Sequence, residues 1–224
     1  MVLTYEAAGE DILALLDKEW LNTRDLQTLA QLLPDCDVDL RQSIAEQLIN
    51  AEPDEAWPLL RTLAEDENWV VRAEACQSLS VNHGDGAREL LEKICRDEED
   101  ETVRAYAIQS LGAVLKAGKE TRRGVALLRE LKQSQPGARV QMAALEALYG
   151  VEPQQGYLEE LAEYLRWDDY TIRCTALNHL SEMAAEENRT LIQEHLSRLK
   201  QVENTRAVRS TVERLERKLE EMGE

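Results

Sequence analysis

Five arginines stand at the same position of a recurring pattern and could each bind a carboxylate. The pattern is an apolar residue, Arg, two residues of any kind, a small residue, three further residues and Leu. Its arginines are Arg41, Arg72, Arg104, Arg173 and Arg209, and a sixth copy carries Gln141 instead. A guanidinium group matches a carboxylate through two parallel hydrogen bonds. This spacing therefore predicts ion pairing rather than catalysis.

Acidic residues occupy the turns that precede most copies of the pattern. The turns before Arg72, Arg104 and Arg173 are acidic, whereas the turn before Gln141 contains no acid. Because charge and countercharge are lost together, we interpret the arginines as a structural ladder in which Arg72, Arg104 and Arg173 tie neighbouring turns by ion pairs. Direct contact with a binding partner is the alternative interpretation.

The turn before Arg104 is the most acidic segment of the chain. It reads Asp97, Glu98, Glu99, Asp100 and Glu101. One explanation is helix capping, since an acid in a first helical turn contributes about 0.3–1 kcal/mol. The other is a site for a basic partner, because complementary charge favours association. The run is denser than capping requires, and both explanations remain open.

Two aromatic residues share one position, three residues before the Arg of their copies. They are Trp69 and Tyr170. An aromatic ring at a helix start can anchor a binding partner or pack as a staple against the preceding helix. Trp57 and Trp167 are expected in the core instead. The candidate binding residues on the inner turns and the concave face are Trp69, Arg72, Gln77, Asp97, Glu98, Glu99, Asp100, Glu101, Arg104, Gln109, Tyr170 and Arg173.

The sequence contains no motif for metal binding or catalysis. His83 falls in a turn, and His179 and His195 fall on helices without a second ligand four residues further on. Cysteines occur at Cys36, Cys76, Cys95 and Cys174. They show no paired spacing, and Cys76 takes an apolar position of the pattern, which is typical of a buried thiol. We predict no catalytic residue, no metal and no cofactor.

The copies recur every 31 to 37 residues. A repeat in this range indicates a stack of helical hairpins in which each hairpin packs on its neighbours. A leucine-rich helix (helix A) precedes each Arg-bearing helix (helix B), and the small position of the interior copies is always Ala, which allows close packing. We predict thirteen helices in one domain over 1–224. Its parts are a capping helix at 10–22 and hairpins at about 23–50, 54–82, 85–117, 121–149, 154–186 and 188–222.

Two details of the first helices follow from local patterns. The apolar spacing carries the capping helix as far as Trp20. Pro58 is expected in a first helical turn capped by Asp54, where a missing backbone N–H does no harm.

The chain has 26 basic and 44 acidic residues, a net charge of −18. Such a surface repels phosphate backbones, so nucleic acid and anionic membranes are disfavoured as partners and a basic protein surface is favoured. No apolar run approaches the roughly 18 residues of a membrane span, and no basic-then-apolar leader opens the chain. We expect a cytoplasmic location. The charged outer face of the last helix favours a monomer.

An acidic turn followed by Val-Arg, Ala and Leu after a Leu-Leu helix resembles the HEAT repeat. The best copies are Asp66–Leu79, Asp100–Gly112 and Asp169–Leu180. The resemblance is closest to the HEAT-like repeats of phycobilisome lyases and covers roughly residues 23–222. It implies an all-α fold, a right-handed α-α superhelix of about six HEAT-like hairpins plus an N-terminal helix, with the B helices on its concave face.

The resemblance is specific for fold and not for function, because helical arrays serve many unrelated tasks. We expect a non-catalytic scaffold or adaptor that binds a protein or peptide partner of basic character on the concave face. The alternative is an enzyme on a HEAT-like scaffold, either a bilin lyase-like protein or a DNA glycosylase. A glycosylase ranks last because it needs a basic groove.

Overall fold

The computed structural model describes residue 3 and residues 10–81 and 84–222. Within these residues the chain is all-α, and outside its helices it forms two isolated β-bridges, Leu3 with Cys36 and Leu21 with Ala51. His83 lies outside the described residues. In chain order the α-helices are α1 (Glu10–Leu16), α2 (Thr23–Leu32), α3 (Val38–Gln47), α4 (Pro53–Leu63), α5 (Trp69–Ser78), α6 (Asp85–Asp97), α7 (Glu101–Ala117), α8 (Thr121–Ser134), α9 (Ala138–Val151), α10 (Gln155–Ala162), α11 (Tyr170–Met183), α12 (Arg189–Val202) and α13 (Arg206–Glu221).

The chain divides into two compact units, residues 1–119 and residues 120–224. Unit 1 contains α1 to α7, and unit 2 contains α8 to α13. The A helices are α2, α4 and α6 in unit 1 and α8, α10 and α12 in unit 2, and each is followed by its B helix. The helical hairpins thus follow the spacing predicted from the repeats. The expectation of a single domain stays a prediction.

In each unit the B helices lie side by side. Helix α5 packs between α3 and α7 in unit 1, and α11 packs between α9 and α13 in unit 2. Within each unit the A helices touch one another less than the B helices do. Because the B helices pack in sequence order, equivalent residues of consecutive turns come close together. This packing positions the candidate site.

The starts of the B helices are capped by their own turns. The side chains of Asp37, Asn68, Asp100 and Asp169 accept hydrogen bonds from first-turn N–H groups of α3, α5, α7 and α11. Each of these residues lies four positions before the Arg of its helix. Caps of this kind satisfy backbone donors that have no partner inside the helix. These four caps therefore determine where α3, α5, α7 and α11 begin, whereas α13 has no side-chain cap.

Two predictions about the first helices are wrong. Helix α1 ends at Leu16 rather than near residue 22, and Trp20 is 56% exposed in the following turn. Helix α4 begins at Pro53, so Pro58 lies inside the helix and not in its first turn. An interior Pro lacks one backbone hydrogen bond of the helix. Pro53 itself supplies the start, since proline suits a first helical position.

Trp167 is exposed, contrary to the expectation that it lies in the core. Its side chain is 48% accessible, and its ring stacks on Tyr164 with the centroids 5.4 Å apart. Trp57 is partly buried in unit 1 and lies against Gly86. Cys76 is fully buried, and burial raises the pKa of its thiol to about 12. The Cys76 thiol is therefore unreactive at neutral pH.

The small positions of the B helices are closed to solvent. Ile44, Ala75, Ala107, Ala144, Ala176 and Val212 are each at most 2% exposed. Alanine at the interior positions lets neighbouring helices approach closely. A larger side chain there would have to displace the surrounding core.

We predict that Ala107→Leu lowers the free energy of unfolding by about 1–3 kcal/mol, because a well-packed core does not accept the added carbons. The measurement is urea unfolding followed by circular dichroism. Ala113→Leu on the same helix α7 is the matched control, since Ala113 is exposed. Equal midpoints for the two variants would contradict the packing described for α7.

Candidate functional site

Two ladder arginines of unit 1, Arg41 and Arg72, bind the acid of the next turn through bidentate contacts. Arg41 donates from Nε and Nη2 to the Asp66 carboxylate at 2.7 and 3.0 Å. Arg72 donates in the same way to Glu98 at 2.8 and 2.9 Å. The remaining nitrogen, Nη1, donates to a carbonyl of the residue's own turn, Cys36 at 3.0 Å for Arg41 and Asp66 at 2.9 Å for Arg72. One guanidinium therefore holds two consecutive turns, an arrangement that we call the Arg–acid joint.

The acid of each joint also accepts a hydrogen bond from a backbone N–H group of its own turn. Asp66 also accepts a hydrogen bond from Asn68 N–H at 2.8 Å, and Glu98 accepts one from Asp100 N–H at 2.9 Å. Burial by itself raises the pKa of Glu98, but the hydrogen bonds from Arg72 and Asp100 outweigh it and the pKa is lowered. The carboxylate is thus held in its charged form.

Unit 2 contains the most buried joint. Arg173 donates from Nε and Nη2 to Glu203 at 2.7 and 3.4 Å, and Glu203 is only 6% exposed. Thr205 N–H donates to the same carboxylate at 2.6 Å. Burial raises the pKa of Glu203, yet the hydrogen bonds from Arg173 and Thr205 together lower it to about 2. Each joint acid lies six residues before the next Arg of the ladder.

Arg104 departs from the predicted ladder of ion pairs. It donates from Nη1 to the carbonyls of Glu98 and Glu99 at 2.5 and 3.0 Å, but it forms no salt bridge within the described part of unit 1. Its Nε is buried without a hydrogen-bond partner among the described residues. The sequence explains the difference, because the residue six positions before Gln141 is Gln135 and offers no carboxylate.

The two remaining ladder positions bind their own turns. Gln141 donates to the carbonyls of Lys132 and Gln135, the latter at 2.7 Å. Arg209, on the last helix, donates from Nε to the Glu203 carbonyl at 2.9 Å. Both residues therefore keep the bond to the turn that precedes their helix.

The acidic run of unit 1 separates into structural and exposed residues. Glu98 belongs to a joint, and Asp100 caps α7 by accepting from Thr102 N–H at 2.8 Å. Glu101 is half-buried at the start of α7. Asp97 and Glu99 are exposed and form no ion pair in the described part of the chain.

The preceding turn shows the same arrangement. Glu65 and Glu67 flank the joint acid Asp66, just as Asp97 and Glu99 flank Glu98. Glu65 is exposed, and the Glu67 side chain is 89% accessible although it lies 3.6 Å from Arg41 Nη2. We call the four flanking acids the acidic edge of unit 1. Its residues are Glu65, Glu67, Asp97 and Glu99.

Both aromatic candidates are at the surface. Trp69 begins α5 and is 46% exposed, and Tyr170 begins α11 and is 49% exposed. Gln77 is exposed on α5, whereas Gln109 is half-buried on α7. A ring that packed as a staple would lose most of its accessible area, so the exposure favours an anchor. Trp69 follows the acids Glu65 and Glu67 of its own turn.

Trp167 is a further exposed aromatic residue that was not among the predicted surface candidates. A signal was available, because Trp167 lies six residues before Arg173, where other copies carry the joint acid. A residue at that position belongs to the surface turn and not to the core. The groove of unit 2 that Arg166, His195 and Arg198 line was also not predicted, because Arg166 is far in sequence from the two residues on α12.

Among the described residues no group of three or more His, Cys, Asp or Glu side chains is placed to hold a metal ion. His179 is buried in unit 2 and forms one contact with Glu146, Nδ1 to Oε2 at 2.5 Å. None of the helices in the part of the chain that the structure describes combines the length and the apolar character of a membrane span.

The acidity of the chain is concentrated in unit 1. Residues 1–119 contain 11 Lys and Arg against 25 Asp and Glu, and residues 120–224 contain 15 against 19. The net charges are therefore −14 and −4. The acidic edge lies in the unit that also carries most of the negative net charge.

Comparison with known proteins identifies the repeats. Residues 26–112 match the family model of HEAT repeats. Among solved structures the chain is similar to the complex of CpcE and CpcF of phycocyanin lyase from Nostoc sp. PCC7120, with a TM-score of 0.55 and 20% sequence identity, over 90% of this chain and 83% of that chain. No curated protein matches. At this identity the likeness shows the fold alone, and it confirms the predicted all-α helical-repeat fold.

We predict that Glu203→Gln lowers the free energy of unfolding by about 3 kcal/mol at pH 6, because Arg173 loses a buried countercharge. The pKa of Glu203 in the folded chain, about 2, lies below its usual 4.5. The stabilisation is therefore complete above pH 4.5 and is lost as the pH falls toward 2. Urea unfolding at several pH values measures the free energy of unfolding of the parent and of the variant. The difference between the two should decrease as the pH falls from 4.5 toward 2.

Glu220→Gln is the control for this measurement, since Glu220 is exposed on α13. The free energy of unfolding of this control should stay close to that of the parent at every pH. A Glu203→Gln difference that does not change with pH would contradict the charged joint in unit 2.

Proposed function

We propose that this chain, whose residues 26–112 match HEAT repeats, binds a basic protein or peptide partner at the acidic edge of unit 1. The binding is non-catalytic, and the chain acts as a scaffold or adaptor. The observation that carries the proposal is the separation of the acids in consecutive turns. One acid of each turn is used by a joint, and the acids on both sides of it are exposed.

The acidic edge exceeds what the fold requires. Asp66 and Glu98 satisfy Arg41 and Arg72, and N-caps are supplied by Asn68 and Asp100. Neither capping nor ion pairing accounts for Glu65, Asp97 or Glu99. Like charges held in equivalent positions of adjacent turns repel one another. A basic partner relieves this repulsion and is attracted over a distance by the net charge of unit 1.

Trp69 supplies an apolar contact beside the acids. Its ring is about half exposed at the start of α5, two residues after Glu67. Large aromatic side chains are enriched among residues that dominate binding energy, because they bury much area at a low entropic cost. The partner segment that fits best therefore combines Lys or Arg with an apolar side chain.

Two polar side chains on the B helices of unit 1 extend the proposed binding surface. Gln77 and the half-buried Gln109 add hydrogen-bonding groups on the B helices of unit 1. The described residues provide no cluster of metal ligands. A monomeric state and a cytoplasmic location belong to this proposal.

A lyase-like activity is the second candidate. The observation in its favour is the similarity of fold to a chain of phycocyanin lyase. It ranks second because we assign no residue of this chain a catalytic role. An assay for bilin attachment to phycocyanin tests it, and attachment that depends on this chain would place the enzyme first.

We predict that Glu65→Lys with Glu67→Lys weakens binding of a Lys-rich, Leu-containing peptide by about tenfold or more at low salt. Fluorescence anisotropy of the labelled peptide measures the affinity for the full chain. Added salt should weaken the parent's binding, because exposed charges are screened.

Glu187→Lys with Glu220→Lys is the matched control, since both acids are exposed in unit 2 and the change in net charge is the same. It should alter the affinity by less than about twofold. Equal losses for the two double variants would show that only the total charge matters, and the acidic edge would not be the site.

We predict that Trp69→Ala weakens binding of the same peptide by about fivefold to thirtyfold, equal to about 1–2 kcal/mol of binding energy. Trp20→Ala is the control, because Trp20 is also exposed in unit 1 but lies outside the acidic edge. Circular dichroism should show that both variants remain folded. Unchanged affinity for Trp69→Ala would rule out the aromatic anchor.

A further inference from the structure

Unit 2 contains a groove that combines apolar and basic side chains. It has a volume of about 270 Å³ and lies where the 3-10 turn after α10 faces α12. Leu165 and Leu199 are buried side chains that line it, and Val202 lines it at the end of α12. Val202 is 75% exposed, the highest value among the large apolar side chains of the described residues. The groove therefore offers apolar surface that the fold leaves open to solvent.

Three of the four other lining residues are basic, and the fourth is Ala162. Arg166 comes from the 3-10 turn, and His195 and Arg198 come from α12. Three cationic or titratable nitrogen groups around one groove are unexpected in a chain with a net charge of −18. They come from two elements that are far apart in sequence, so their proximity results from packing in unit 2.

Both arginines remain available to a ligand. Arg166 pairs with Glu163 at 2.6 Å, and Arg198 pairs with Glu194 at 3.5 Å. Each pair lies within one helical segment, and all four side chains are more than half exposed. Exposed pairs of this kind contribute only about 0.2–0.5 kcal/mol, so a carboxylate that also buries apolar surface can displace them.

His195 reports on the charge of the groove. Burial first, and then Arg198, lower the pKa of the imidazole, with Arg166 acting in the same direction. Glu163 and Glu194 act in the opposite direction and raise it. A bound anion would favour the protonated imidazole and raise the pKa.

We propose that this groove binds an acidic peptide segment that carries one bulky apolar side chain. The apolar side chain fills the space above Leu165 and Leu199 and covers Val202. Carboxylates before and after it reach Arg166 and Arg198, whose planar guanidinium groups can each donate two parallel hydrogen bonds to a carboxylate. Charge complementarity selects an acidic segment over a basic or neutral one.

This surface is distinct from the acidic edge and selects for the opposite charge. It does not depend on the function proposed for unit 1. A chain with both surfaces recognises a basic partner through unit 1 and an acidic segment through unit 2.

The test uses the full chain and a labelled peptide that contains several Glu residues around one Leu. We expect Arg198→Glu and Arg166→Glu each to weaken its binding by about tenfold at low salt. Arg189→Glu is the matched control, because Arg189 lies on the same helix α12, pairs with Glu186 three residues away and does not line the groove. It should leave the affinity within about twofold of the parent.

Two peptide variants and one spectroscopic signal complete the test. Replacing the Glu residues of the peptide by Gln, or its Leu by Ala, should each weaken binding by about tenfold. The imidazole resonances of His195 should shift when the acidic peptide is added and not when the Gln peptide is added. Because the signal comes from the groove itself, it remains informative if one of the arginine variants is unstable.

Several results would overturn the proposal. One is binding of the Gln peptide that is as tight as binding of the acidic peptide, and another is an effect of Arg198→Glu no larger than that of Arg189→Glu. Concentration-dependent self-association that Arg198→Glu abolishes would instead assign the groove to a second copy of the chain, and sedimentation velocity detects it.

Discussion

The bidentate contact between an arginine and the acid of the next turn is the constraint on which the rest of the structure depends. A guanidinium group is planar and carries five donors in fixed directions. In each joint two of its nitrogens bind the following turn, and the third binds the turn that precedes its own helix. Consecutive B helices are thereby held in register as well as packed by their apolar faces. This fixed register places equivalent surface residues of neighbouring turns side by side.

The same constraint divides the acids of unit 1 by role. A joint needs one carboxylate, six residues before the next Arg. That carboxylate is bound to the arginine and is not available to a binding partner. The acids beside it are exposed, so the edge that results is regular as well as negative. In unit 2 the turn before α11 carries Arg166 and the exposed Trp167 where unit 1 carries acids. The two units therefore present different chemistry from the same repeat.

The sequence predicts the helical hairpins because their signals are local and periodic. The Arg position, with Gln141 in one copy, and the small position recur along the chain, and side-chain caps precede α3, α5, α7 and α11, so the alignment of the copies predicts these helix starts closely. The predictions are wrong where a residue was considered without its position in the repeat. Trp167 reads as a core aromatic until it is aligned with the joint acids, and Arg104 reads as a paired rung until Gln135 is recognised at the acid position.

Other features depend on packing that no local pattern contains. Arg166 and Arg198 are far apart in the sequence, and they line one groove because the 3-10 turn after α10 faces α12 in the folded unit. The exposure of Trp20 likewise follows from the end of α1 at Leu16, and the apolar spacing alone carries that helix further. Surface sites of repeat proteins are therefore harder to predict than the repeats.

The most direct test of the account is a double-mutant cycle on the free energy of unfolding with Arg72→Ala and Glu98→Ala. The joint predicts a coupling energy of about 1–3 kcal/mol between these residues, since each is the buried countercharge of the other. The same cycle between Arg72→Ala and Glu99→Ala should give a coupling near zero, because Glu99 belongs to the exposed edge. Equal couplings for Glu98 and Glu99 would contradict the division of the acids into structural and exposed residues.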